Sequence, residues 1–126
     1  MKLNKEIITN ASAKVSARHT VEMIKAAQEH NIEDGPRIAM LATLTDAVFA
    51  SELADILEVP KEGDETIEVS ADDFMIASQK ANDLVTSKTS NGNPMTDLGT
   101  MLELTLFGLK LRAFLFEGEE EKNETA

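Results

Sequence analysis

A chain of 126 residues, 42% hydrophobic and 28% charged, is long enough for one domain with a real core, and that balance excludes wholesale disorder. Its 23 acidic against 12 basic residues give a net charge of −11, which excludes a broad phosphate-tracking surface, because affinity for nucleic acid rests on cationic neutralisation. The absence of cysteine excludes disulfides, thiolate metal sites and thiol nucleophiles; with no continuous apolar run in MKLNKEIITNASAK to serve as a secretory signal, a reducing, cytoplasmic setting is expected.

In chain order, Ala13, Ala17, Val21, Ile24 and Gln28 recur at helical spacing, Met23 and Ala27 widen the stripe, and Lys14, Arg18, Lys25 and Glu29 fall mostly elsewhere. This predicts an amphipathic helix that stops near His30-Asn31. Upstream, Leu3, Ile7 and Ile8 fit either an earlier helical turn or a docking strand. Asp34-Gly35-Pro36 reads as a helix start, with Asp34 as the cap and Pro36 in the first turn. The following segment to Leu57 carries Ile38, Met40, Leu41, Leu44, Val48, Phe49, Leu53 and Ile56 among Ala39, Ala42, Ala47, Ala50 and Ala54. Its charges are Arg37, Asp46, Glu52 and Asp55, so a buried or centrally packed helix is expected.

Pro60 ends that helix by disfavouring helical geometry at Val59. Thr66-Ile67-Glu68-Val69 alternates like a strand, which leaves a short hairpin pairing 57–59 with 67–69, or a simple loop, the loop being preferred. Ser70-Ala71-Asp72-Asp73 then forms a capping box, with Ser70 as N-cap and Asp73 in the third position, and Val69 and Phe74 have the spacing of a hydrophobic staple. Phe74, Ala77, Ala81, Leu84 and Val85 supply one face of a helix expected to reach about Ser87. A turn-rich loop containing Asn91-Gly92 leads to Asn93, which caps the last helix with Pro94 in its first turn. The expected fold is all-α, a small bundle of about four helices in one domain over 1–126, with a flexible acidic tail over 117–126.

The last helix raises the functional question. Thr96, Glu103, Lys110 and Glu117 share one narrow line on a helical wheel, and nearly everything else is apolar apart from Thr105 and Arg112. A surface helix of a monomer needs an apolar arc of about 100°, and this one offers more than twice that. A bilayer is a poor cover, because Glu103, Lys110 and Arg112 sit mid-span and such charges cost roughly 2.5–3.5 kcal/mol each there. Cover by protein is expected instead, with Leu104, Phe107, Gly108, Leu111, Phe114 and Leu115 forming an interface and Ala39, Ala47 and Ala50 offering a smooth surface for close approach at Gly99 and Gly108. The expected function is a non-enzymatic homo-oligomeric interaction module: an adaptor, inhibitor or assembly subunit, of the kind found among phage accessory proteins. It is expected to bind itself and another protein, without cofactor, metal, nucleic acid or membrane.

Chemistry is sparse. His19 and His30 are expected to face solvent, and although His19 and Glu22 have the i,i+3 spacing of a metal pair, no second His-Glu pair completes a site. Asp72 and Asp73 diverge by about 100° on a helix and serve as caps. The loop SNGNPMTD offers free amides to an anion, yet with Lys88 as its nearest cation it reads as an ordinary turn. Nucleophile elbow, P-loop and dinucleotide fingerprints are absent from the sequence. Two other readings remain: a ligand or anion site assembled between subunits from groups such as Glu22, Lys25, Arg37 and Asp46, and an acidic nucleic-acid mimic built on Glu58, Glu62, Asp64, Glu65 and Glu68.

Overall fold

The computed structural model describes residues 1–61 and 63–125, with side chains as far as Glu117. Its elements in order are β1 (Lys2–Leu3), α1 (Lys5–Glu29), α2 (Gly35–Leu57), β2 (Ile67–Glu68), α3 (Ala71–Thr89) and α4 (Pro94–Thr125). The helices pack in a ring in which each touches its sequence neighbour and α4 closes back on α1, while α2 and α4 also meet across the middle. The all-α bundle is therefore as expected from sequence, and α4 continues past Glu117, where its apolar pattern ends.

Local chemistry sets the boundaries. Asn4 caps α1 by accepting from the Ile7 amide at 2.8 Å, and its Nδ2 donates to the carbonyls of Gly63 and Glu65, both at 3.2 Å. Both upstream readings thus hold, each for different residues, with Leu3 in a strand and Ile7 and Ile8 in the helix. The stop at Asn31 is a complete Schellman turn: Asn31 has φ 56°, the Ile32 amide reaches Ala27 O at 2.8 Å, and the Asn31 amide reaches Gln28 O at 3.3 Å. Ser70 accepts from the Asp73 amide at 3.1 Å, and Asn93 accepts from the Met95 amide at 3.0 Å, as their sequence contexts require.

Two local expectations are corrected. Asp34 makes no side-chain cap, because its backbone at φ −86° and ψ 8° lacks the extended geometry that aims a cap side chain at the first amides; only its carbonyl serves, accepting from Ile38 N at 3.0 Å. The strand at Ile67–Glu68 pairs antiparallel with Lys2–Leu3, in the register Lys2↔Glu68 and Leu3↔Ile67, rather than with 57–59. Residues 57–59 are taken up by the end of α2, where Glu58 turns left-handed at φ 55°, a conformation no strand accepts. The N-terminal amine instead clamps the sheet, donating to Glu68 Oε1 at 2.6 Å.

The core runs along the centre of the ring. Phe49 and Phe107 meet edge to face at 5.7 Å where α2 touches α4, and Phe74 and Phe116 do the same at 5.4 Å near the sheet, with Leu3, Ile8, Leu53, Leu104, Val85 and Leu111 filling the space between. Two glycines permit close approach. A Cβ at Gly35 would overlap that of Ala27, and one at Gly108 would lie 2.5 Å from Ser78 Oγ. What Gly108 admits is therefore the Ser78 side chain of α3, with the Phe49 ring of α2 beside it, not the alanine surface of α2, and Gly99 faces open space.

Candidate functional site

The middle of α1 does not bury the stripe its sequence suggests. Ala13, Ala17, Val21 and Gln28 are exposed and Ile24 is half-buried, while the inward face is Ile8, Ala11, Ser12, Val15, Ser16 and His19. Polar residues can face inward here because α2 and α4 bring them partners. Asp46, fully enclosed, accepts from Ser16 Oγ at 3.0 Å; His19, only 6% exposed instead of solvent-facing, lies with Nε2 3.4 Å from Glu103 Oε1; and Lys110 Nζ donates to His19 Nδ1 and Glu22 Oε2, both at 3.1 Å. His30 is exposed.

Electrostatics orient this row. An ammonium can only donate, so His19 Nδ1 accepts from Lys110 and the neutral ring carries its proton on Nε2, facing Glu103. Burial, with the nearby Lys110 charge, lowers the His19 pKa below its ordinary value and keeps the ring neutral. Burial raises the Glu103 carboxyl to about 9, helped by its hydrogen bond with Asp46 and that group's charge, against the pull of Lys110. Burial also raises Asp46, opposed by hydrogen bonds from Glu103 and Ser16. Exposed Glu22 moves the other way, lowered by its hydrogen bond to Lys110. Near neutral pH the row therefore reads Lys110 to His19 to Glu103 to Asp46, with Ser16 donating from the far side. Among the described residues, His19 Nε2, Asp46 Oδ1 and Glu103 Oε1 are buried polar atoms without a hydrogen-bond partner; a carboxyl proton between the acids would pair the two oxygens, while the His19 N–H rests 3.4 Å from Glu103. The outer end of the row opens into a cavity of about 260 Å³ between α1 and α4, beside Arg18, which stacks over Phe114 with 6.0 Å to the ring centroid.

A second feature lies outside the bundle. On α2, Met40, Leu41, Leu44 and Val48 are 46–66% exposed, on the side of the helix opposite buried Asp46, Phe49 and Leu53. On α4, Leu98, Leu102, Leu106 and Leu109 are 46–63% exposed, opposite buried Leu104, Phe107 and Leu111. Because α2 and α4 meet at the centre through Phe49 and Phe107, these outer faces point away from each other. The α2 face continues into a groove of about 270 Å³ against α1, lined by Ala13, Ala17, Thr43 and Ala47.

Of the interface residues expected from sequence, Leu104, Phe107, Gly108, Leu111, Leu115, Ala39 and Ala50 lie inside the protomer, and Ala47 and Phe114 lie at its surface. The outer rows of the same helices are what remains uncovered, so α2 is only half buried rather than enclosed. Glu22 and Asp46 sit in the polar row, whereas Lys25 and Arg37 are exposed and outside it. Lys88 is engaged by Glu52 at 2.7 Å rather than left for an anion at the following loop. Glu58, Asp64, Glu65 and Glu68 are exposed, and Glu62 lies outside the described residues. The buried row went unnoticed in the sequence; its one available signal was the seven-residue spacing of Glu103 and Lys110 on an otherwise apolar helix.

Among the described residues no group of histidines and carboxylates is arranged to hold a metal ion, and no helix is long and apolar enough to cross a membrane. No protein-family model, curated protein or solved structure matches the chain, so the functional reading rests on the geometry alone.

Proposed function

We propose that the chain is a non-enzymatic interaction module that works as a homo-oligomer, each copy covering the outer apolar faces of α2 and α4 on its neighbours. The observation that carries this reading is the pair of half-exposed aliphatic rows pointing in opposite directions. Exposed single leucines need no explanation, but contiguous rows mark surfaces of association.

Two faces that point apart carry assembly beyond a dimer, either through two separate two-fold contacts or by face-to-face chaining. Such an assembly fits an adaptor, inhibitor or assembly subunit that also engages another protein, and the cysteine-free composition suits a cytoplasmic setting. Leu44→Glu on α2 and Leu102→Glu on α4 test the reading by sedimentation velocity at micromolar concentration. The wild-type chain is expected to sediment as an oligomer larger than a dimer, each single variant as a smaller species, and the double variant as a folded monomer. A wild-type chain that stays monomeric and folded overturns it.

A further inference from the structure

Three helices meet at the polar row with one hydrogen-bond donor too few. Ser16, His19 and Glu22 face it from α1, Asp46 from α2, and Glu103 and Lys110 from α4; α3 sends no charged side chain into these contacts. Asp46 and Glu103 are within hydrogen-bonding reach of each other, and two carboxylates have no hydrogen to place between them. Asp46 Oδ1 and Glu103 Oε1 are enclosed and unpartnered when both acids are ionised. Lys110 directs its ammonium to His19 and Glu22 on the solvent side, not between the two acids.

We infer that one proton held between Glu103 and Asp46 is a structural part of the seam joining α1, α2 and α4, so that the seam is a pH-sensitive latch that loosens as this proton is lost to hydroxide on the alkaline side of neutrality. The proton turns two repelling acceptors into a donor and an acceptor, and Ser16 completes the acceptor's shell. Its removal leaves two like charges in a buried space, where Ser16 donates to Asp46 and His19 Nε2 lies 3.4 Å from Glu103. The device is independent of the proposed self-association.

The sign follows from linkage. The Glu103 carboxyl sits at about 9 in the folded chain and at an ordinary value once unfolded, so between those limits the folded state binds one more proton. Stability from this proton is full below the unfolded value and is lost as pH rises toward 9. His19 acts oppositely only below about 6.5, where the unfolded ring gains a proton that the buried ring resists. From pH 7 to 8 the terminal amine, bonded to Glu68 in the folded chain, contributes to the slope as well, and that contribution is common to wild type and any Glu103 variant, so the carboxyl proton is read as the difference between the two.

Urea unfolding of the full chain at fixed concentration across that window is expected to show the folding equilibrium constant falling about tenfold per pH unit. Glu103→Gln keeps an N–H donor for Asp46 without a titrating proton, and its profile is expected to be shallower than wild type by that tenfold per pH unit. Equal slopes for the two chains overturn the proposal. A carbon-13 titration of the Glu103 carboxyl in the wild-type chain decides it independently of whether the variant folds: a midpoint more than two units above the ordinary carboxylate range supports the latch, and one within that range overturns it.

Discussion

Glu58 ends α2 with φ 55°, a left-handed conformation that costs an L side chain roughly 1–2 kcal/mol and that glycine adopts freely. The turn tolerates it because the Val59 amide must reach Ala54 O, at 3.4 Å, so that buried Val59 can fold back under the helix. Glu58 is exposed, so Glu58→Gly is expected to raise stability by about 1 kcal/mol, measured as a shift in the urea midpoint with unchanged slope. Asn31 solves the same problem with a residue suited to it, and that stop was legible from sequence because asparagine is common there. Ser70 and Asn93 were legible for the same kind of reason, a short polar side chain ahead of a helical run. Asp34 looked equivalent and is not, since capping depends on a backbone angle that residue type alone does not fix.

At the scale of elements, α1 and α4 failed and succeeded as sequences for one physical reason. Periodicity counts apolar side chains, and it assumes that the inward face is the apolar one. In α1 the inward face at Ser12, Ser16 and His19 is polar, with Asp46 and Lys110 as partners for the last two, so the apolar stripe of Ala13, Ala17 and Val21 points the wrong way for that rule. In α4 both sides are apolar, which made the excess visible but not which side the protomer would take for itself. Gly108 helps to decide that, because only its side of α4 can approach α3 as closely as Ser78 does. Gly108→Ala places a Cβ 2.5 Å from Ser78 Oγ in a buried contact and is expected to cost about 1–3 kcal/mol despite alanine's better helix propensity. Removing the hydroxyl leaves Ser78 Cβ at 3.9 Å and Phe49 Cζ at 3.5 Å, both ordinary separations. The double variant Gly108→Ala with Ser78→Ala should therefore recover most of the loss, as a double-mutant cycle on thermal unfolding would measure. A cycle without coupling would place the fault elsewhere in the helix.

For the whole molecule, the distribution of apolar surface links folding to association. One ring of four helices encloses the inner rows of α2 and α4 and leaves their outer rows in water, and the outer rows are as aliphatic as the inner ones. A protomer with this division gains stability from any copy that covers them, by mass action, since the unfolded chain presents no ordered face to bind. The melting temperature of the wild-type chain is thus expected to climb with protein concentration. For a domain of this size each 1 kcal/mol of linked association moves the midpoint by about 3–6 °C. The variant carrying both Leu44→Glu and Leu102→Glu is expected to melt at one temperature whatever its concentration, because it lacks the contacts that concentration would populate. Each single variant should retain a shallower slope than wild type, since one face still associates. Scanning calorimetry over a hundredfold range of concentration at pH 6.5, where the Glu103 proton is held, separates this effect from the latch; a wild-type midpoint that does not move would mean that the outer rows stay in water and that self-association is not their role.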